Sequence, residues 1–243
     1  MKIIAVSDTH HRYGRGSASY PELKTPEGDV LVHAGDIAMM GEVAELCFFN
    51  EWLGRQPQRV KLVVPGNHDW LFQRDFSFAR SLITNGKVLC DERFVVDDQI
   101  FWGSPWQPNF YNWAFQLPRG ERLAEKWALI PDDTNFLITH GGPKGFGDRV
   151  QRWEDSRPSF DGRTQVAEPT GYYEDVGCED LLSRVLVVKP KYHVFGHVHV
   201  GHGIRRGLHT CFINASICNE KYVHRNPPVV INTKTGTVKT VKG

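Results

Sequence analysis

Short apolar runs, each stopped by a polar or glycine-containing cluster, recur through this chain and constrain its fold more than any other feature. They cover residues 3–6, 30–32, 60–64, 94–96, 100–102, 136–138, 192–195 and 211–213. Runs of this length, rich in Val, Ile and Phe, read as buried strands. Helical patterns intervene. Residues 42–53 place Val43, Leu46, Cys47, Phe49, Trp52 and Leu53 largely on one face, and residues 121–130 and 179–188 behave similarly. Strands alternating with amphipathic helices imply an α/β layered fold. Residues 229–238 read as two strands joined by a Lys-Thr-Gly turn. A chain of 243 residues buries roughly 70–75% of its unfolded surface, enough for a core without disulfides or a structural metal. The expected organisation is a single domain over residues 1–243.

The residues that follow the strands are of one chemical kind. Asp8-Thr9-His10 follows the first run, and Gly35-Asp36 the second. Gly66-Asn67-His68-Asp69 follows 60–64, Thr139-His140 follows 136–138, and Gly196-His197-Val198-His199 follows 192–195. In open α/β sheets ligands bind beyond the carboxyl ends of the strands. Taken singly, an Asp-x-His or a Gly-Asp is more often a turn. Five such endings in one chain specify a shared polar site. The set offers two carboxylates (Asp8, Asp36), one amide oxygen (Asn67) and four imidazoles (His10, His140, His197, His199). Seven ligands exceed the four that a structural zinc takes. They suit two divalent cations sharing a bridging carboxylate. A mixed N/O set without thiolate favours Mn, with Fe or Zn as alternatives, over Mg or Ca. On a regular strand His197 and His199 would face one side; a turn would divide them between two metals.

Charge excludes other classes. Lys and Arg number 29 against 28 Asp and Glu, whereas a protein that coats nucleic acid carries a basic face. No stable nucleic-acid complex is expected. No apolar run approaches the ~18 residues of a membrane span, and the first apolar run is too short for a signal-peptide core. Five cysteines without a CxxC spacing read as reduced thiols. The expected compartment is the cytoplasm. No feature sets an oligomeric state.

The five motifs resemble those of the calcineurin-like metallophosphoesterase superfamily, with a residue at every ligand position. The resemblance implies a four-layer αββα sandwich, two mixed sheets face to face with helices outside. It implies that Asp8, His10 and His199 hold one metal, that Asn67, His140 and His197 hold the other, and that Asp36 bridges them. His68 would bind no metal but donate a proton and steady the transition state, with Asp69 orienting it. Further stretches are Gly103-Ser104-Pro105-Trp106-Gln107-Pro108, Leu117-Pro118-Arg119-Gly120, Lys126-Trp127-x-Leu129-Ile130-Pro131, His193-Val194-Phe195-Gly196 and Ile213-Asn214-Ala215-Ser216. Over about residues 3–231 they resemble the metallophosphoesterase-domain-containing phosphodiesterases of animals and their bacterial relatives. That resemblance implies hydrolysis of small phosphodiesters, above all cyclic nucleotides with the 2′,3′-cyclic forms favoured, by in-line attack of a hydroxide bridging two metals. Asp69 stands where the animal proteins tend to carry Glu.

Rival activities leave marks that are missing here. Protein phosphatases of this superfamily carry an arginine soon after the bridging Asp, whereas this chain has Ile37-Ala38-Met39-Met40-Gly41. A nuclease would need a basic track. A non-catalytic metal-binding scaffold would not need His68. Aromatic residues cluster at 101–106 and 109–113, and among them Trp106, Phe110 and Tyr111 are the candidates to stack a base. Residues 149–176 are polar and non-periodic, with Pro158 and Pro169. They read as a lid or rim loop, in which Arg149, Arg152, Arg157 and Arg163 are candidates to meet phosphate.

Overall fold

Burial alternates along the first strand between two different cores. Ile3 and Ala5 enter one, Ile4 and Val6 another, and all four are fully buried. Side chains on a strand alternate between faces, so a strand buried on both is a middle layer. The computed structural model describes residues 1–11, 23–153 and 169–241.

The strands in chain order are β1 (Lys2–Val6), β2 (Val30–Ala34), β3 (Val60–Val64), β4 (Lys87–Val88), β5 (Glu92–Val96), β6 (Gln99–Ser104), β7 (Gln107–Pro108) and β8 (Gln116–Leu117). They continue with β9 (Phe136–Thr139), β10 (Arg149–Trp153), β11 (Pro169–Asp175), β12 (Tyr192–Phe195), β13 (Gly203–Arg206), β14 (Cys211–Asn214), β15 (Val229–Asn232) and β16 (Thr237–Thr240). One six-stranded sheet has the order β16-β15-β1-β2-β3-β4, and the other β13-β14-β12-β9-β6-β5. Both are mixed. β1 to β4 run parallel, as do β6, β9, β12 and β14, while β15, β16, β5 and β13 run antiparallel to their neighbours.

Ile3, Val32, Leu62, Val64, Phe101, Phe136, Val194 and Ile213 form the core between the sheets. Helices cover the outer faces. α1 (Val43–Arg55) brings Leu46, Phe49, Trp52 and Leu53 to the outside of the first sheet. Two short helices not expected from the pattern, α2 (Trp70–Arg74) and α3 (Phe76–Leu82), join it there. They are divided at Asp75, whose side chain caps α3 by accepting from the Phe78 N–H. α4 (Glu121–Ala128) and α5 (Glu179–Val188) pack Leu123, Trp127, Leu181 and Val185 on the second sheet beside Leu137, Phe195 and Phe212. The result is the expected αββα order of layers. Cys47, Cys90, Cys178 and Cys211 are free thiols. Among the described residues no helix is long and apolar enough to cross a membrane.

The stretch expected as an irregular lid is structured at both ends. β10 and β11 pair antiparallel, Arg149 opposite Asp175 and Gln151 opposite Tyr173. Both strands are too polar for an alternating pattern to reveal them. They are held from below instead. The buried Asp148 carboxylate accepts from Gly145 N–H at 3.0 Å and Gly177 N–H at 2.9 Å, clamping the two ends together. Arg157 and Arg163 lie outside the described residues.

Candidate metal centre

The turns after β1, β2, β3, β9 and β12 meet in one place. The Asp8 N–H donates to Gly35 O, the His10 N–H to Asp36 O, and the Gly196 N–H to His140 O. Close approach demands glycine at two points. A Cβ on Gly66 would sit 2.2 Å from Asp36 N, and one on Gly196 would sit 2.1 Å from Asp8 Oδ2. Asp8, His10, Asp36 and His197 have positive φ, at 54°, 43°, 53° and 67°. Left-handed backbone is unfavourable for residues with a Cβ and concentrates at functional sites. Here it turns each side chain back over the strand ends.

The side chains form two groups with no member in common, Asp8, His10 and His199 in one and Asp36, His140 and His197 in the other, and a third, His10, Asp36 and His68, links them; all candidate ligand atoms of a group lie within 4.8 Å of each other. The His197 turn therefore divides the two histidines of Gly196-His197-Val198-His199 between the groups. Asp36 lies between them, 3.7 Å from His10 Nε2 through Oδ2 and 3.2 Å from His140 Nε2 through Oδ1. Asn67 Oδ1 is 2.8 Å from His140 Nε2.

Hydrogen bonds orient the imidazoles. Nδ1–H of His10 donates to Ala38 O (3.3 Å), that of His140 to Ala34 O (3.0 Å), and that of His199 to Asn219 O (2.9 Å). With Nδ1 carrying the proton, a neutral ring presents the Nε2 lone pair inward. His10 Nε2 and His199 Nε2 then face each other at 3.3 Å. Two acceptors so close repel unless a proton or a cation lies between them, so this donor set fits divalent metals.

Electrostatics agree. Burial alone would raise both carboxyls. For Asp36 the neighbouring His140 and His68 outweigh it, and for Asp8 the His199 hydrogen bond and charge do so. Both stay well below the usual carboxylate range. Burial pushes His10 down to about 4 and His197 to about 3. His140 also suffers burial, yet the charge and hydrogen bond of Asp36 lift it to about 9. Metal-free, the centre carries on His140 a positive charge that a cation would otherwise supply.

Two expected roles change. Asp69 does not orient His68. Its buried carboxylate accepts from the N–H groups of Gly66 (2.6 Å), Ile37 (3.2 Å) and Ala38 (3.0 Å), joining the turns after β2 and β3. Burial and the nearby Asp36 push it up to about 7 against the pull of those donors. His68 is oriented by the Met39 carbonyl, 2.6 Å from Nδ1, which leaves Nε2 4.0 Å from Asp36 Oδ2. Trp106 does not line the cleft over the centre. Its Nε1–H donates to Asp91 Oδ2 at 2.9 Å, and the Lys126 ammonium covers its ring at 4.4 Å.

Other rings stand over the floor. Phe110 lies 4.9 Å from the His197 ring and Trp113 lies 4.2 Å from His68 at an interplanar angle of 32°. The Ala114 N–H donates to Asn67 O, pinning this aromatic segment to a ligand-bearing turn. Tyr222 closes the other side, 4.8 Å from His10 and 5.1 Å from His199. Trp113 belongs to an aromatic cluster visible in the sequence. Tyr222 has no such signal. Tyr111 lines the cleft rim but is 92% exposed, and Arg149 lines the rim with its guanidinium 5.1 Å over Tyr173.

Comparison with known proteins is consistent with this geometry. The family model described as calcineurin-like phosphoesterase matches residues 1–201. Metallophosphoesterase domain-containing protein 1 of Homo sapiens is 38% identical over 258 residues, spanning 96% of this chain and 71% of that protein, and its Mus musculus counterpart matches equally. A UPF0046 protein of Caenorhabditis elegans is 35% identical over 246 residues, spanning 95% of this chain and 74% of its own length. One solved crystal structure superimposes on 99% of this chain and 98% of its own with a TM-score of 0.64 at 16% identity, a likeness of fold alone.

Proposed function

The chain belongs to the calcineurin-like phosphoesterase family and is a metal-dependent phosphoric ester hydrolase, and from that premise we propose that it hydrolyses small phosphodiesters, cyclic nucleotides above all, with the 2′,3′-cyclic forms preferred. Asp8, His10 and His199 would hold one cation, Asn67, His140 and His197 the second, and Asp36 both. When bound, such a pair of cations activates water near neutral pH and offsets charge on the phosphoryl oxygens. Manganese is the proposed metal, from the mixed N/O donors.

The chain's own groups do the rest. His68, fixed by Met39 O, turns Nε2 to the reacting phosphate and donates the proton that the departing alkoxide needs. The observation that carries the nucleotide reading is the aromatic wall formed by Phe110 and Trp113 against His197 and His68. A base stacked there sets its phosphate over the floor, and base–aromatic stacking contributes about 1–3 kcal/mol. The absence of arginine from residues 37–41 supports a diester over a phosphorylated protein. A net charge of +1 supports small substrates over long nucleic acid, and the five cysteines without a CxxC spacing support a cytoplasmic setting.

The test is a substrate panel on metal-stripped protein supplied with Mn²⁺. The expected order is 2′,3′-cyclic nucleotides, then 3′,5′-cyclic nucleotides, then monoesters. Preference for p-nitrophenyl phosphate over its bis-ester would overturn the diesterase assignment.

A further inference from the structure

Asn214, at the end of β14, is fully buried and lies outside all five ligand motifs. Its carboxamide Nδ2 is 2.8 Å from Val198 O, 3.4 Å from Gly196 O and 3.4 Å from Gly147 O. Its Oδ1 accepts from the Ser216 N–H at 3.1 Å. That last bond fixes the orientation of the amide, oxygen toward Ser216 and nitrogen toward the carbonyls. An NH₂ group has two protons. The shortest contact is to Val198 O, with Gly196 O and Gly147 O both at 3.4 Å.

Gly196 and Val198 flank His197, whose φ is 67°. The single donor group thus grips both carbonyls beside a residue in unfavourable backbone. The His197 N–H is spent on Asp8, at 3.0 and 3.1 Å from its two carboxylate oxygens. Between them, Asn214 and Asp8 hold the turn on both sides. The third carbonyl, Gly147, precedes Asp148, whose carboxylate clamps the base of the β10–β11 hairpin. Gly147 O also packs where a Cβ on Gly201 would meet it at 1.8 Å.

We infer that Asn214 is a positioning residue of the metal centre: by holding the carbonyls on either side of His197 it sets the kink that divides His197 and His199 between the two metal groups, and through Gly147 it joins that kink to the base of the rim hairpin. It touches neither metal group itself. Its effect passes through the backbone of the residues that do.

Residues behind metal ligands typically contribute about 10–100-fold in metal affinity, and calorimetric titration of metal-stripped protein with Mn²⁺ reads that effect directly. Asn214→Asp keeps the shape but sets an acceptor against three carbonyls. One of the two Mn²⁺ binding events should weaken at least ~10-fold, with the other less affected. Asn214→Ala, which removes the donor without adding charge, should weaken the same event, and it stands in if the Asp variant does not fold. Ile213→Val, one residue away in β14 and without a bond to the turn, should lower Tm and leave both events unchanged. Unchanged Mn²⁺ binding in a folded Asn214→Ala protein would overturn the inference. So would an equal loss in Ile213→Val, which would make the effect one of general stability. Neither result bears on which ester is hydrolysed, so the substrate proposal stands or falls separately.

Discussion

The floor of the cleft and its rim are built by different physics. The floor consists of Asp8, His10, Asp36, Asn67, His140 and their neighbours, nearly all within a few per cent of full burial. Asp8, His10, Asp36 and His197 sit in left-handed backbone, and His10, His140 and His199 have Nδ1 tied to carbonyls. The rim consists of Phe110, Tyr111, Trp113, the β10–β11 hairpin and Tyr222, of which Phe110, Trp113 and Tyr222 meet the floor through ring contacts. A buried polar floor tolerates little change, because any group that loses its partner is left unpaired away from water. A rim made of apolar contacts can exchange one ring for another at modest loss. Changes in the floor should therefore act on the reaction itself, and changes in the rim on which substrate is held.

The largest effect should follow Asp36→Asn. It removes the charge shared by both metal groups, and kcat/KM should fall by about 10³-fold or more, as for loss of a principal group stabilising charge in the transition state. A variant with unchanged turnover would end the distinction between floor and rim. Next, His68→Ala should lower kcat by about 10²–10³-fold on a poor leaving group such as a nucleoside alkoxide. The loss should be much smaller on a nitrophenyl diester, whose leaving group needs no proton. Equal losses on both would remove the proton-donor role from His68.

The charge balance of the floor makes a third prediction, read by scanning calorimetry of metal-stripped protein. His140 is raised from its ordinary 6.5 to about 9. Its contribution to stability is complete below pH 6.5 and is lost as pH climbs through about 9. His10 and His197 are depressed, to about 4 and about 3. Their contribution is present above pH 6.5 and fades as pH falls toward 4. Tm should therefore peak near pH 6.5, and saturating Mn²⁺ should abolish the alkaline decline, because a ligating His140 is already neutral. An alkaline decline that persists with metal bound would refute the assignment of His140 to the floor.

Rim substitutions should be milder. Trp113→Ala should raise KM for a cyclic nucleotide about 10-fold, within the 1–3 kcal/mol of a stacked base, with little change for a minimal diester. Trp106→Ala should leave KM alone and lower Tm, because that ring packs under Lys126 and Asp91. The reverse pattern would move the substrate pocket.

The same division governs what could be read from the chain. Strand ends carrying Asp, Asn and His announced the floor, since metal binding restricts residue types and strand geometry restricts where they stand. The unbroken apolar run at residues 3–6 likewise announced a buried strand. The rim depends on contacts between distant segments. Trp106 and Trp113 are equally aromatic on paper, and only Asp91 in one case and the Ala114–Asn67 backbone bond in the other decide which stands over His68. The family resemblance implies that Asp69 orients His68, but three nearby N–H groups claim its carboxylate. Tyr222 reaches the site from a loop held by Asn219, whose Oδ1 accepts from the Lys221 and Val223 N–H groups, a closure no local pattern reveals.

One measurement addresses the dinuclear floor most directly: the rate of hydrolysis of a 2′,3′-cyclic nucleotide by metal-stripped protein as Mn²⁺ is added in measured equivalents. Two ligand groups with Asp36 between them predict no activity without metal and a rise that levels off at two equivalents per chain. Full activity at one equivalent, or activity that survives exhaustive chelation, would contradict it.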